Sequence, residues 1–225
     1  MKKPATATEE DYVKSLLELE LKTGSPLIPM GLLARSLGLT AGTITTMVKR
    51  LDSSGLAIYQ ARKGCQLTSK GRNTALQMLR RHRVIETFLV QELGFGWENV
   101  HMEAEAMEHG CSDAVVNRLW EYIGKPQRDP HGAPIPDTNL VLPPGISDQG
   151  LDEIPQNTPV QITQISDRNP ELLQLLDQIA IQPNTIAVKN KKTLKGPKGE
   201  VEVKEEYWPY LRAIVIKNNP GYNKS

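Results

Sequence analysis

Apolar positions in this chain recur at helical spacing through its first half and alternate after about residue 150. Over 8–22, TEEDYVKSLLELELK, Tyr12, Val13, Leu16 and Leu19 share one face, and Thr8 ahead of acidic residues is the candidate N-cap. Gly24, Pro26 and Pro29 end that helix. Met30–Leu37 predicts a second, short helix, with Gly38 suited to the turn after it. Thr40 caps a third, Ala41–Leu51, apolar at Ile44, Met47, Val48 and Leu51. Two helices of this size joined by a short Gly-containing turn predict a helix-turn-helix. The strand-like runs Leu56–Gln60 and Cys65–Thr68 enclose Ala61-Arg62-Lys63-Gly64. A basic hairpin directly after a helix-turn-helix is the wing of a winged helix, closed here by LTSKGR.

Three more helices follow: Asn73–Leu93, Glu98–Gly110 and Ser112–Ile123. Gly124–Pro144 is rich in Pro and Gly and reads as a linker. From about Leu151 the period becomes two, at Val160, Ile162 and Ile165, then Ile186 and Val188, Val201 and Val203, and Ala213, Val215 and Ile216. Short strands separated by turns predict a small β-barrel, and the last six residues read as frayed. The expectation is an α+β chain in three parts: residues 1–73 a winged helix-turn-helix, 74–140 an all-α domain, and 150–218 the barrel.

Charge sharpens this division. Residues 1–83 carry 14 Lys and Arg against 6 Asp and Glu, a net of +8, and the remainder carries 13 against 20, a net of −7. A basic first third suggests a polyanionic partner; the acidic remainder is suited to cations. The exposed side of the third helix offers Thr40, Gly42, Thr43 and Thr46, with Lys49 and Arg50 further on. Threonine hydroxyls and methyls suit base edges, whereas Lys49, Arg50, Arg62 and Lys63 suit phosphates. No run of about 18 apolar residues exists, so no membrane span is expected. The N-terminus lacks a signal-peptide core, and a cytoplasmic protein is expected. Cys65 and Cys111 form no CxxC pair and read as reduced thiols.

The middle third concentrates His, Glu and Asp. His82 and Glu86 are one helical turn apart; Glu105, Glu108 and His109 share one helix side. Carboxylates and imidazoles at this spacing suit a first-row divalent ion. The same residues also fit a solvated acidic helix face, a metal buffer, or the acid–base pair of a metal-using hydrolase. No nucleophile motif, phosphate loop or HExxH accompanies them, which argues against an enzyme. Trp97, Trp120 and Trp208 read as core or interface anchors, and Lys189–Lys198 as a solvated hairpin. Phe88, Leu89, Leu119 and Trp120 exceed what one small helical domain needs and suggest a dimer.

The strings EEDYVKSLLEL, LTSKGR, RHRVIETFL, ENVHMEAEAMEHGCSDAVVNRL and DPHGAPIPD, in this order, resemble the metal-dependent repressors of the diphtheria toxin repressor family along nearly the whole chain. The resemblance implies a homodimer that binds operator DNA when metal is present, with a C-terminal SH3-like domain. It implies a primary metal site at Asp11, Glu105, Glu108 and His109, and an ancillary one at His82, Glu86 and His101. Iron-responsive members carry Met and Cys at the positions of Asp11 and Glu105, whereas manganese-responsive members carry Asp and Glu, which points to Mn2+ with Fe2+ as the alternative. Two positions depart from the family: Lys14 stands where the short manganese regulators have Glu, and in SDRNPELLQLL an ungapped match sets Arg168 and Glu171 at the two ligand positions of the SH3-like domain.

Overall fold

Thr6, rather than Thr8, caps the first helix. Helix α1 (Ala7–Thr23) opens on a reciprocal capping box, in which Thr6 Oγ1 accepts from Glu9 N and the Glu9 carboxylate accepts from Thr6 N. The cap falls two residues early because Glu9, not Asp11, is the acid that reaches back. The computed structural model describes residues 5–216, so the six C-terminal residues expected to fray lie outside the described residues.

The described chain divides into two compact units. The first runs to His82 and also takes in Glu108–Cys111 and Pro136–Val141. In it, α2 (Met30–Leu37) ends on Gly38 in the left-handed conformation, and α3 (Ala41–Ser53) starts on Thr40, as the sequence predicts. Tyr12, Val13, Leu16 and Leu17 of α1 are buried with Leu33 of α2 and Ile44, Val48 and Leu51 of α3. The antiparallel hairpin β1 (Ala57–Gln60) and β2 (Gly64–Leu67) leaves Ala61, Arg62 and Lys63 as an exposed tip. The long α4 (Ser69–Leu93) begins earlier than the expected Asn73, inside LTSKGR. It starts hard against the hairpin: a Cβ on Gly71 would lie 1.8 Å from the Leu56 carbonyl oxygen, so only glycine permits this packing.

The second unit holds the rest of α4, most of α5 (Val100–Glu108), α6 (Asp113–Tyr122), and a six-stranded antiparallel sheet. The strands are β3 (Gln149–Gly150), β4 (Thr158–Ile165), β5 (Ile186–Lys189), β6 (Thr193–Gly196), β7 (Gly199–Glu202) and β8 (Leu211–Val215), with α7 (Pro170–Gln178) between β4 and β5. Their order is β3-β8-β4-β5-β6-β7, an open order in which β3 and β7 are the edges. Its core gathers Val160, Ile162, Ile165, Leu194, Leu211 and Ala213 with Leu172, Leu173 and Leu176 of α7 and the two tryptophans Trp97 and Trp208. The architecture is therefore α+β, a helix-turn-helix with a wing, a helical domain and a C-terminal antiparallel sheet.

Three expectations are corrected here. Helix α7 was hidden because PELLQLLDQ lies among alternating segments; Asn169 caps it and Pro170 occupies its first turn. Within the stretch 124–144, read as a linker, residues 129–136 are packed rather than solvated. Asp129 Oδ1 accepts from His131 N and Ala133 N, His131 is 1% exposed, and Ile165 N of β4 donates to His131 O. Gly132, at φ 86, passes so close to β4 that a Cβ would lie 2.1 Å from Thr163 O. Lys189 is likewise buried rather than solvated. Its ammonium donates to the carbonyls of Leu151 and Ile154 and sits 5.4 Å above the Trp208 ring.

Candidate metal centres and DNA-binding face

In the first unit, the first turns of α1 and the end of α5 converge. Helix α5 stops at Glu108, so His109 leaves the helix instead of sharing its face. One ligand atom each from Asp11, Glu108 and His109 lies within 4.8 Å of the others. His109 Nε2 is 2.9 Å from Asp11 Oδ1 and 3.8 Å from Glu108 Oε1, and its Nδ1 is 2.9 Å from Glu10 Oε2. Glu108 is fully buried; its Oε1 accepts from Lys14 Nζ at 2.6 Å, and its Oε2 lies 2.6 Å from His82 Nδ1.

Burial favours a neutral His109, but its hydrogen bond to Glu10 and the charges of Asp11, Glu108 and Glu10 outweigh this and raise its pKa. Burial raises the Asp11 carboxyl above the ordinary carboxylate range, against the opposing pull of His109 and Lys14. The carboxylates around His109 thus favour its charged form, while Lys14 already places an ammonium on Glu108. Two oxygen donors and one imidazole, with no thiolate or thioether, fit a divalent first-row ion, and Asp11, 44% exposed, leaves the group open on one side.

Glu105, the fourth predicted member, lies on α5 one turn before Glu108. It is 48% exposed, and its Oε1 is 3.8 Å from His101 Nε2.

A second group lies within the second unit. His101 Nδ1 is 3.4 Å from Glu86 Oε1 and 3.3 Å from Asp167 Oδ2. Burial disfavours the charged imidazole, but hydrogen bonds to Asp167 and Glu86 raise its pKa to about 10. Asp167 is lowered to about 2, burial being overcome by His101. Behind Glu86, which is fully buried, stand His131, with Nδ1 at 3.8 Å from Glu86 Oε2, and Asp129, 3.5 Å from Arg83 Nε. His131 Nε2 lies 2.7 Å from the Trp97 carbonyl oxygen.

Of the predicted ancillary set, Glu86 and His101 meet here with Asp167; His82, one helical turn before Glu86 on α4, belongs to the same group and also places its Nδ1 against Glu108 Oε2. The carboxylate brought in from the sheet domain is Asp167, one residue before Arg168. Glu171 is instead engaged by Lys204 Nζ at 2.8 Å and Tyr207 Oη at 2.6 Å on the surface. Sequence reading missed Asp167 by a one-residue register shift. It passed over His131, Asp129 and Glu10 because none has a partner at helical spacing.

The third group is the face of the helix-turn-helix. Thr40, Gly42, Thr43, Thr46, Lys49 and Arg50 are all exposed. Thr43 N donates to Thr40 Oγ1, and Thr46 Oγ1 donates to Gly42 O. With its hydrogen committed to the helix, the Thr46 hydroxyl offers outward an acceptor and a methyl. At the wing tip, Arg62 adopts the left-handed conformation at φ 64 and, like Lys63, is exposed.

On the second unit, Phe88, Leu93, Val115, Leu119 and Tyr122 of α4 and α6 line an open apolar groove of about 660 Å³. Tyr122 is 70% exposed and Leu93 57%. Of the residues expected on such a face, Leu89 is instead core, at 3% exposed, and Trp120 donates to Pro126 O.

Known proteins resemble the chain along the same segments. The family model "Iron dependent repressor, N-terminal DNA binding domain" matches residues 5–65, and "Iron dependent repressor, metal binding and dimerisation domain" matches 68–137. The iron-dependent repressor IdeR of Mycobacterium tuberculosis is 31% identical over 188 residues, 79% of this chain and 81% of that protein. The diphtheria toxin repressor of Corynebacterium diphtheriae is 33% identical over 129 residues, 57% of this chain and 56% of that protein. Among solved structures, a manganese-dependent transcriptional repressor in complex with manganese superposes with a TM-score of 0.81 at 29% identity, covering 92% of this chain and all of that one. The manganese regulator SloR follows at 0.76 and 25%, covering 92% and 98%.

Proposed function

Because the chain belongs to the iron-dependent repressor family that includes the diphtheria toxin repressor, and is thereby a metal-dependent DNA-binding repressor rather than an enzyme, we propose that its effector is Mn2+ and that a cytoplasmic homodimer carries the response to operator DNA. The observation that carries the choice of ion is the donor set. Asp11, Glu108 and His109 offer only oxygen and imidazole, a set suited to a hard divalent ion. We read Glu105 as completing that primary centre. The specific observation on the side of Fe2+ is that the sequence relatives are named for iron, so Fe2+ is the second reading.

The primary centre holds one ion per protomer in this proposal. Where a paired cluster would need a further carboxylate, Lys14 places an ammonium on Glu108 Oε1, and a second cation there would meet that charge at close range. The ancillary centre uses His82, Glu86 and His101 together with Asp167, with His131 and Asp129 packed behind the Glu86 carboxylate to fix its orientation. Functionally the chain has three parts, 1–73 for DNA, 74–140 for metal and dimerisation, and 150–218 as the SH3-like domain. Metal acts by linkage: an ion that favours the DNA-competent arrangement increases its population.

The decisive experiment measures affinity for the protein's own promoter DNA while Mn2+, Fe2+, Co2+ and Zn2+ are titrated at buffered free concentrations. Rank of bare ion affinity is uninformative, since Zn2+ outcompetes Mn2+ at most such sites. Mn2+ is expected to raise DNA affinity by about 5- to 150-fold, at free concentrations where Fe2+ does less. Replacing Arg62 and Lys63 together by Ala lowers the slope of log affinity against log salt by about 2, with sequence preference kept. DNA binding indifferent to every ion overturns the proposal, and activation by Fe2+ at lower free concentration moves it to the second reading.

The apolar groove of α4 and α6 is the proposed dimer surface. Leu119→Asp in the full chain is expected to shift a sedimenting dimer to a monomer at micromolar concentration; an unchanged dimer would place the interface elsewhere.

A further inference from the structure

The first turns of α1 carry three consecutive carboxylates that serve two different ends of the first unit. Glu10 and Asp11 face His109, each at 2.9 Å. Glu9 faces the recognition helix: its Oε1 accepts from Arg50 Nε at 3.1 Å, while its Oε2 accepts from Thr6 N at 2.9 Å. The two partners differ in setting, since the Glu9 side chain is 8% exposed and that of Arg50 54%. The capping box therefore fixes Glu9, and Glu9 holds the guanidinium by its Nε edge. The terminal nitrogens of Arg50 make no other hydrogen bond among the described residues and remain on the exposed side. A guanidinium held in this way offers its remaining N–H fork to a phosphate already oriented, which a freely rotating arginine does not.

We propose that Glu9 is a positioning residue for Arg50, and that the Glu9–Arg50 contact links ion occupancy at Asp11, Glu108 and His109 to the DNA face. The inference rests on the reading of Arg50 as a phosphate contact in a metal-responsive repressor. Asp11 and Glu9 sit two residues apart on one turn of helix. An ion that draws Asp11 toward Glu108 and His109 sets the position of the first turn of α1, and with it the position of the capped Glu9 carboxylate that aims Arg50. With Arg50 half exposed, the pair adds little to stability. Its effect is on geometry, and it can be removed without unfolding the domain. Coupling of this kind is measurable because linkage is reciprocal.

The test uses the full chain with Glu9→Gln, Arg50→Gln and both together. Gln at position 9 keeps the capping box, since its amide oxygen accepts from Thr6 N, but removes the charge that holds Arg50. Three quantities are read: DNA affinity with and without saturating Mn2+, Mn2+ affinity by calorimetry without DNA, and solvent exchange of the Arg50 Nε–H by NMR in the metal-free protein. The expected result is that E9Q leaves calorimetric Mn2+ affinity within about twofold, speeds exchange of that proton, and cuts the gain in DNA affinity that Mn2+ brings by about threefold or more. R50Q weakens DNA binding, and E9Q adds little on top of it. If the wild type responds to Mn2+ and E9Q responds equally, the link is overturned while the functional reading stands. Tighter DNA binding by E9Q also overturns it, since Glu9 would then be withholding Arg50. If the wild type responds to no ion, both fall together.

Discussion

Asp11→Ala is expected to bind operator DNA with the weak affinity of the metal-free protein at every Mn2+ concentration, losing the whole ion-dependent gain, of order 100-fold. The reason is geometric. Asp11 lies on α1 and its partners Glu108 and His109 follow almost a hundred residues later, yet their ligand atoms fall within 4.8 Å. Without Asp11 the centre loses the donor that α1 contributes, so an ion held by the remaining donors no longer ties α1 to the end of α5. Fold loss cannot mimic this result, because Asp11 is 44% exposed and truncating such a side chain costs little stability. His109→Ala gives the same phenotype. The measurement is DNA affinity against buffered Mn2+, with thermal unfolding as control. A Mn2+ response in Asp11→Ala that matches wild type would show that α1 takes no part in ion capture.

Lys14→Met is expected to destabilise the metal-free protein by about 3 kcal/mol, in the range seen when one partner of a buried ion pair is removed. The Lys14 side chain is 5% exposed and that of Glu108 is not exposed at all, with 2.6 Å between Nζ and Oε1. Screening by solvent therefore does not reduce the contact to the small value of a surface pair. Methionine fills much the same volume, so the loss reports the missing ammonium at the buried Glu108 oxygen rather than a cavity. Mn2+ should restore part of the stability, because an ion at Glu108 supplies the missing positive charge and binds only the folded chain. Urea unfolding with and without Mn2+ measures both effects. A metal-free protein as stable as wild type would mean that His82 and His109 hold the Glu108 carboxylate without help from Lys14.

The helix-turn-helix was legible almost residue by residue. Thr40 as a cap, Gly38 as a turn and the Arg62–Lys63 tip follow from local rules that hold whatever the tertiary setting. Asp11, Glu108 and His109 could be placed in one centre only through the family resemblance, because spacing along the chain says nothing about residues a hundred positions apart. The errors fall where tertiary packing overrides local pattern. Segment 124–144 has the composition of a linker, but Asp129 folds its middle, residues 129–133, into a tight turn that β4 then covers. Lys189 reads as surface until the carbonyls of Leu151 and Ile154 are seen to need a donor. Asp167 was missed for a smaller reason: an ungapped match cannot represent a one-residue shift in the turn before α7.

The contact of His101 with Asp167 makes the sheet domain part of the helical domain's electrostatics. Glu86 and His101 come from α4 and α5, whereas the second acid that favours the charged form of His101, Asp167, comes from the turn after β4. A chain cut after residue 140 would thus keep the helix-turn-helix and the Asp11, Glu108 and His109 group, yet lose one of the two acids beside His101 Nδ1 and strip from Asp129 and His131 the strand that covers them. The C-terminal sheet is therefore not freely detachable baggage: its loss, or its exchange for another domain, would leave only Glu86 of the two acids beside His101 Nδ1 and expose the turn at Asp129 and His131.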